Sequence, residues 1–326
     1  MKILVTGGAG YIGSFMTKLL LDRGDQVVAL DSLERGHEEA VDKRARFIRM
    51  DIYDWDNLEG LFSSEKFDAI MHFAGYISME ESTRDPGLYF YKNTLGSLEM
   101  LEHAVRHNVG KFIFSSTAGV YGNPTKIPIP EAHRTKPTNP YGEGKLMVEK
   151  ILYWYQKAYG LNYACLRYFN AAGAALDASM GEVHEPESHI IPLAIKAVLK
   201  DSPFNLYGTD YNTPDGTCVR DYIHVLDLAE AHLLALDKLK RDNGGFIYNV
   251  GTGKGYSNKE VIDMVQKVSG KSIKVVECNR RSGDAAELVA DVSKIKKELS
   301  FSPKYSDLER IVKTAWEWHA KNEGRN

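Results

Sequence analysis

Cysteine is scarce in this chain of 326 residues, and the three present, Cys165, Cys218 and Cys278, are scattered and odd in number. That excludes a disulfide framework and argues against a cysteine-based metal cluster, so no metal is expected. No apolar run approaches the ~20 residues a membrane span needs. Charge of one sign is missing too. The 41 Lys and Arg against 44 Asp and Glu leave a formal net charge of −3 with no basic run, so neither nucleic acid nor membrane is expected as a partner. Lys2 is followed at once by a short apolar run and then glycines, which does not read as a secretory leader. Internal repeats and low-complexity tracts are absent as well. A cytoplasmic location is the expectation.

What the chain does have is 43% hydrophobic residues, enough for a large core and more than one domain. Short apolar runs alternate with stretches of helical periodicity. Strands are predicted at Ile3-Leu4-Val5, Gln26 to Leu30, Arg46 to Met50, Ala69 to Phe73, Lys111 to Phe114 and Asn162 to Arg167. Strand–helix alternation of this kind predicts an α/β fold, a Rossmann-type doubly wound parallel sheet. Beyond about Asn170 glycine, proline and polar loop residues become frequent. Helix-like runs then return at Leu226 to Lys240 and Lys259 to Val268. This half reads as a smaller α/β domain interleaved with the sheet. In such sheets ligands bind beyond the carboxyl ends of the strands. The chemistry-bearing residues cluster just after the predicted strands.

Gly8, Gly10 and Gly13 satisfy G-x-G-x-x-G, and Gly7, Gly10 and Gly13 give a second register. The glycines follow a strand and open a helix, the context in which backbone N–H groups and a helix N-terminus hold a pyrophosphate. Asp31 ends the next strand, about 20 residues on, where a carboxylate binds the adenosine ribose hydroxyls and repels a 2′-phosphate. NAD is therefore favoured over NADP, with Arg35 the one nearby residue that tempers the preference.

Tyr141-Gly142-Glu143-Gly144-Lys145 places a phenol and an ammonium on one helix face, with Asn139 and Pro140 as N-cap and N1. Two glycines in the first turns, each costing about 1 kcal/mol against alanine, predict that something passes close to the helix backbone. Tyrosine titrates near pH 10, so as a base it needs Lys145 and a positively charged nicotinamide ring to lower that value. A Tyr–Lys pair alone is more often a surface feature. Ser115-Ser116-Thr117 after the preceding strand add a hydroxyl to the constellation.

With these parts in order, the chain resembles the extended short-chain dehydrogenases/reductases, and among them the nucleotide-sugar epimerases acting on UDP-glucose and UDP-galactose. The likeness runs nearly end to end: TGGAGYIGS at 6–14, HFAG at 72–75, SSTAGVYG at 115–122, YGEGK at 141–145, RYFNAAGA at 167–174, DGTCVRDYIHVLDLA at 215–229 and RRSGD at 280–284. The resemblance implies NAD as cofactor, contacted by Gly7, Gly10, Tyr11, Ile12, Gly13, Asp31, Ser32, Leu33, Glu34, Arg35, Gly36, Asp51, Ile52, Phe73, Ala74, Gly75, Asn93, Lys145 and Phe169. It implies Thr117, Tyr141 and Lys145 as the catalytic trio, Thr117 and Tyr141 also touching the sugar. Asn170, His189, Ile190, Asn205, Tyr207, Arg220, Arg281 and Asp284 would hold a UDP-sugar. Arginine suits a diphosphate because its planar fork matches pairs of oxygens. Residues 1–170 would then bind NAD and 171–326 the UDP-sugar, with 217–250 returning to the first domain.

The implied reaction is inversion at C4 of a UDP-hexose through transient oxidation to a 4-keto sugar. The rival elimination chemistry of 4,6-dehydratases uses an acidic pair after the catalytic hydroxyl, where this chain has Ala118 and Gly119. UDP-N-acetylhexosamine or UDP-uronate as the main substrate, and a non-catalytic NAD-binding scaffold, are the other readings. Three positions depart from the common pattern: Ile77 where some relatives have lysine, YISMEE at 76–81 with Glu80 in place of glycine, and Leu288 where a large aromatic often narrows the sugar pocket. Leucine there leaves room for an acetamido group. A homodimer is also implied by the resemblance, through helices near Asn93 to Arg106 and Tyr141 to Tyr159 bearing Leu98, Leu101, Met147, Leu152 and Trp154, while periodicity alone equally suits packing against the sheet.

Overall fold

The computed structural model describes residues 1–281 and 283–322; Ser282 of the RRSGD stretch lies outside them. The strands are β1 (Lys2–Thr6), β2 (Gln26–Asp31), β3 (Arg46–Arg49), β4 (Ala69–His72), β5 (Lys111–Thr117), β6 (Asn162–Tyr168), β7 (Asn170–Ala172), β8 (Phe204–Tyr207), β9 (Val219–His224), β10 (Gly245–Val250), β11 (Gly255–Ser257), β12 (Val275–Cys278) and β13 (Glu287–Leu288). The helices are α1 (Tyr11–Asp22), α2 (Trp55–Ser64), α3 (Met79–Arg84), α4 (Pro86–Tyr89), α5 (Gly96–Arg106), α6 (Pro140–Tyr159), α7 (Ile190–Leu199), α8 (Val225–Arg241), α9 (Asn258–Ser269), α10 (Ser293–Leu299) and α11 (Leu308–Asn322). A widened π-type turn, Phe90–Leu95, joins α4 to α5.

The chain divides into two compact units. The first comprises residues 1–122, 135–167 and 229–248; the second comprises 123–134, 168–228 and 249–326. A seven-stranded sheet ordered β10-β6-β5-β4-β1-β2-β3 forms the frame of the first, its β5-β4-β1-β2-β3 pairs parallel. Ile3, Leu4 and Val5 are fully buried, as expected of strands covered on both faces. Strand order reverses between β1 and β4, the switch point where ligands of such sheets bind. Leu58, Leu61 and Phe62 of α2, Met100, Leu101 and Ala104 of α5, and Val148 and Leu152 of α6 pack on Leu4, Ile70, Phe112 and Phe114. Leu101 and Leu152 therefore belong to this core. Packing against the sheet is one of the two placements that helical periodicity allows, and each such burial is worth about 1.5–3 kcal/mol.

In the second unit β9 pairs with β7, β11 and β13, and β8 pairs with β12. Its core is built by Ile191, Ala194 and Ile195 of α7, Val261, Ile262 and Val265 of α9, and Ile311, Val312 and Ala315 of α11, on Leu206 and Tyr222. Helix α9 starts at a reciprocal Ser257–Glu260 capping box and stops at left-handed Gly270. None of the described helices is long and apolar enough to cross a membrane.

Candidate active site

The glycine loop connects β1 to α1 by close backbone approach. At Gly7, where φ is +70°, a Cβ would sit 2.6 Å from the Ala74 nitrogen, so the turn after β1 lies against the turn after β4. A Cβ at Gly13 would fall 2.0 Å from the Gly7 carbonyl oxygen. Gly10 differs, since a Cβ there would meet only that same oxygen, at 3.3 Å. Gly10 caps α1 with no side-chain hydrogen bond, and the first turn carries no acid. The opening N–H groups of α1 thus face an uncrowded cradle with a positive helix end, which fits a pyrophosphate.

Asp31, at the end of β2, accepts the Ala9 N–H at 3.0 Å and the Leu33 N–H at 2.9 Å. Burial raises its carboxyl above the usual range, and the two backbone donors oppose that. Arg35 lies 4.2 Å from the Tyr76 ring centroid and donates to Glu81 at 2.8 Å, so partners within its own unit engage it. Ser32, Glu34, Asp51 and Lys92 line an open groove of about 550 Å³ with Arg49, Met50 and Asp54. Lys92 reaches Glu34 at 3.0 Å and Asp51 at 3.4 Å. Asn93 accepts the Tyr76 N–H at 2.7 Å and donates to the Tyr76 carbonyl at 2.9 Å. It therefore holds the Phe73-Ala74-Gly75 turn. Ile52 is buried, and the Phe73 ring lies 5.0 Å from that of His232 at a tilt of 46°.

Helix α6 begins as predicted. Asn139 accepts the Gly142 N–H at 2.8 Å, and Pro140 occupies the first turn. What passes close to its glycines is the chain itself. A Cβ at Gly142 would lie 2.7 Å from the Gly119 carbonyl, and one at Gly144 would lie 3.0 Å from the Thr94 hydroxyl. This contact sets Tyr141 beside the end of β5, where the Thr117 hydroxyl lies near enough to the phenol to ease its ionisation and accepts the Gly119 N–H at 3.0 Å. Lys145 is buried, donates to Ser115 at 3.4 Å and lies 5.9 Å from the Tyr141 ring centroid. Burial pushes Tyr141 up to about 12, with the Thr117 hydroxyl the opposing influence. Burial also pulls Lys145 itself down to about 8.

Two buried networks under the site escaped the sequence. His72 bridges Thr6 at 2.7 Å and Ser97 at 2.9 Å, tying β1, β4 and α5 together. Burial, aided by Lys145, drops its imidazole to about 3, so it stays neutral. Glu149 follows Tyr141 and Lys145 at i+8 and i+4 on α6, a spacing that could have marked it. It accepts the Ser116 hydroxyl at 2.5 Å and two Arg167 N–H groups at 2.9 and 2.6 Å, while Arg167 also donates to the Tyr121 hydroxyl at 2.8 Å.

In the second unit, Arg220 donates to the Ala285 carbonyl at 2.8 Å and faces Asp284 at 3.6 Å. Leu288 is in register with Arg220 across β13–β9. Arg281 stacks over Tyr207 at 4.3 Å, and Asn205 shares the face of Tyr207 on β8. Asn170 pairs with Tyr222 across β7–β9, and the Phe169 N–H donates to Val250. His189 caps α7 ahead of Ile190 and bonds Glu182 at 2.5 Å. Burial opposes its charge, but Glu182 and Glu187 prevail and raise it to about 9.

The NAD dependent epimerase/dehydratase family matches residues 3–251. The chain belongs to this family. It is 48% identical over 320 residues to a UDP-glucose 4-epimerase of Lacticaseibacillus casei, covering 98% of this chain and 97% of that one. The crystal structure of a UDP-glucose 4-epimerase from Brucella ovis in complex with NAD superposes with a TM-score of 0.93 at 42% identity, over 97% of both chains. A UDP-Glc/GlcNAc 4-epimerase of Campylobacter jejuni gives a TM-score of 0.86 at 41% identity, over 98% of this chain and 99% of that one.

Proposed function

We infer that this chain is an NAD-dependent epimerase that inverts C4 of UDP-glucose and UDP-galactose. The observation that carries the reading is the placement of the buried Tyr141 phenol beside Thr117 at the end of β5, with the Lys145 ammonium 5.9 Å from its ring centroid, in a chain of the epimerase family. The cradle at Gly7, Gly10, Tyr11, Ile12 and Gly13, with Asp31 and the turn Phe73-Ala74-Gly75, would hold NAD. When bound, NAD supplies a reversible hydride acceptor for C4 and a positive charge that favours the phenolate. Tyr141 then takes the proton of the C4 hydroxyl, Thr117 orients and relays it, and Tyr141 returns it when the opposite epimer forms. Lys145 stabilises the phenolate. Ala118 and Gly119 supply no acid or base for eliminating water, which separates this chain from a dehydratase. Asn170, His189, Ile190, Asn205, Tyr207, Arg220, Arg281 and Asp284 are the proposed UDP-sugar residues. Binding energy concentrated on the nucleotide keeps the 4-keto sugar from escaping while its ring turns. Tyr141→Phe should lower the rate of UDP-galactose conversion by roughly 10²–10⁴-fold. Full activity in that variant would overturn the assignment.

Leu288 favours a second reading, in which UDP-N-acetylhexosamines also enter. The Campylobacter jejuni relative, named for both Glc and GlcNAc, supports it. Rates on UDP-galactose and UDP-N-acetylgalactosamine decide it, and no turnover of the acetamido sugar would remove it. A homodimer is proposed through the stripes left uncovered on the first unit: Tyr91 and Leu95, and Met147 and Trp154, the last 66% exposed. Each pair lies at helical spacing on one face. Sedimentation as a monomer at micromolar concentration would refute it. The three cysteines are free thiols, which supports a reducing, cytoplasmic setting.

A further inference from the structure

The segment before α7 carries two E-x-H triplets, Glu182-Val183-His184 and Glu187-Ser188-His189. The fold of the second unit turns all four side chains toward one point. Glu182 Oε1 lies 3.0 Å from His184 Nδ1 and 2.5 Å from His189 Nδ1. Glu187 Oε1 lies 3.9 and 3.7 Å from the same two nitrogens. One ligand atom from each residue falls within 4.8 Å of all the others. Around a tetrahedral zinc with bonds of ~2.0–2.2 Å, neighbouring ligand atoms stand ~3.3 Å apart, a value these separations bracket.

Hydrogen bonds alone do not account for the cluster. Both carboxylate side chains are 4% exposed. The backbone N–H groups of Ser188 and His189 donate to Glu187 Oε1, at 2.8 and 2.9 Å. Glu187 Oε2 is buried with no hydrogen-bond partner, and Lys196 Nζ stays 3.9 Å away. We propose that Glu182, His184, Glu187 and His189 form a divalent-metal site suited to zinc, a clip that ties the loop to the start of α7. The donor set of two imidazole nitrogens and two carboxylate oxygens matches zinc and similar borderline ions better than calcium or magnesium, which prefer oxygen alone. A second group, Glu59, His103 and His107, offers three donors with Glu59 half-exposed, and serves as the control.

The test uses the full chain, dialysed against chelator and titrated with Zn²⁺ in competition with a chromophoric chelator. Wild type should take up one equivalent. His184→Ala and Glu187→Gln should each weaken binding at least ~100-fold, since loss of mere outer-shell support already costs 10–100-fold. His107→Ala should leave binding unchanged. Co²⁺ in the wild-type chain should give the intense visible absorption of tetrahedral coordination, a readout independent of how well the variants fold. Absence of zinc uptake, uptake unchanged in His184→Ala and Glu187→Gln, loss in His107→Ala, or a weak octahedral Co²⁺ spectrum would overturn the proposal.

Discussion

Replacing Glu149 by glutamine keeps its shape and removes its charge, at a point where the first unit holds a buried cation. Arg167 has a side chain 5% exposed, and it donates to Glu149 at 2.9 and 2.6 Å. The amide can accept one of those bonds, but it leaves the guanidinium without a counter-charge in a medium that solvates it poorly. Breaking one side of such a pair costs about 3–5 kcal/mol. At a few degrees per kcal/mol for a chain of this size, the melting temperature should fall by roughly 5–15 °C. Scanning calorimetry and urea unfolding would measure it. Arg167→Met should also destabilise, and Glu149→Met/Arg167→Met should cost clearly less than the sum of the single changes, because no charge is then stranded. A Glu149→Gln loss under ~1 kcal/mol, or strict additivity in the cycle, would refute the argument. Ser116 donates to the same Glu149 oxygen as Arg167 Nε, and its bond weakens when that oxygen belongs to a neutral amide, so kcat should fall further than KM changes as Thr117 and Tyr141 loosen.

Lys145 predicts the opposite sign. Its pKa drops from 10.5 to about 8 on burial, so below pH ~8 the folded state carries a penalty of about 3 kcal/mol. That penalty fades as pH rises through this window and is gone above the unfolded value. Lys145→Met should therefore stabilise the chain at pH 7, lose that gain by pH ~10.5, and be inactive; thermal melts across pH check the trend. Gly13→Ala forces a Cβ to 2.0 Å from the Gly7 oxygen and should cost about 1–3 kcal/mol along with NAD affinity. Gly60→Ala, in open space on α2, should instead gain up to ~1 kcal/mol, and comparing the two melts tests the packing argument.

The features legible in the sequence are those encoded within a few residues. The β1–glycine–α1 turn, Asp31 closing β2, and the Asn139–Pro140 start of α6 are local signals, and each stands where the pattern put it. Leu101 and Leu152 are ambiguous in the sequence between the sheet and a partner, because helical periodicity shows that a face is apolar without showing what covers it. Glu149 and Arg167 are 18 residues apart on a helix and a strand, so only the fold brings them together. The glycines of α6 announced a close approach, yet Gly119 and Thr94 could be named only from the structure. The burial that pushes Tyr141 up is a tertiary quantity and leaves no mark on the local sequence. The E-x-H pair was readable all along, but a search for metals through cysteine passes over it.

The division into units has a consequence for how the protein is made. The chain crosses from one unit to the other five times, so neither unit corresponds to a contiguous stretch of gene. During synthesis β1 to β5 emerge within the first 117 residues, while the edge strand β10 arrives only around residue 250. At translation rates of ~5–20 residues per second, a half-built sheet with an open edge persists for roughly 7–27 seconds. Meanwhile the Asn123–Arg134 and Tyr168–Leu228 segments wait for partners further downstream. A nascent chain of this kind is exposed to mispairing at that edge, and a gene cut at any single point would release two incomplete halves.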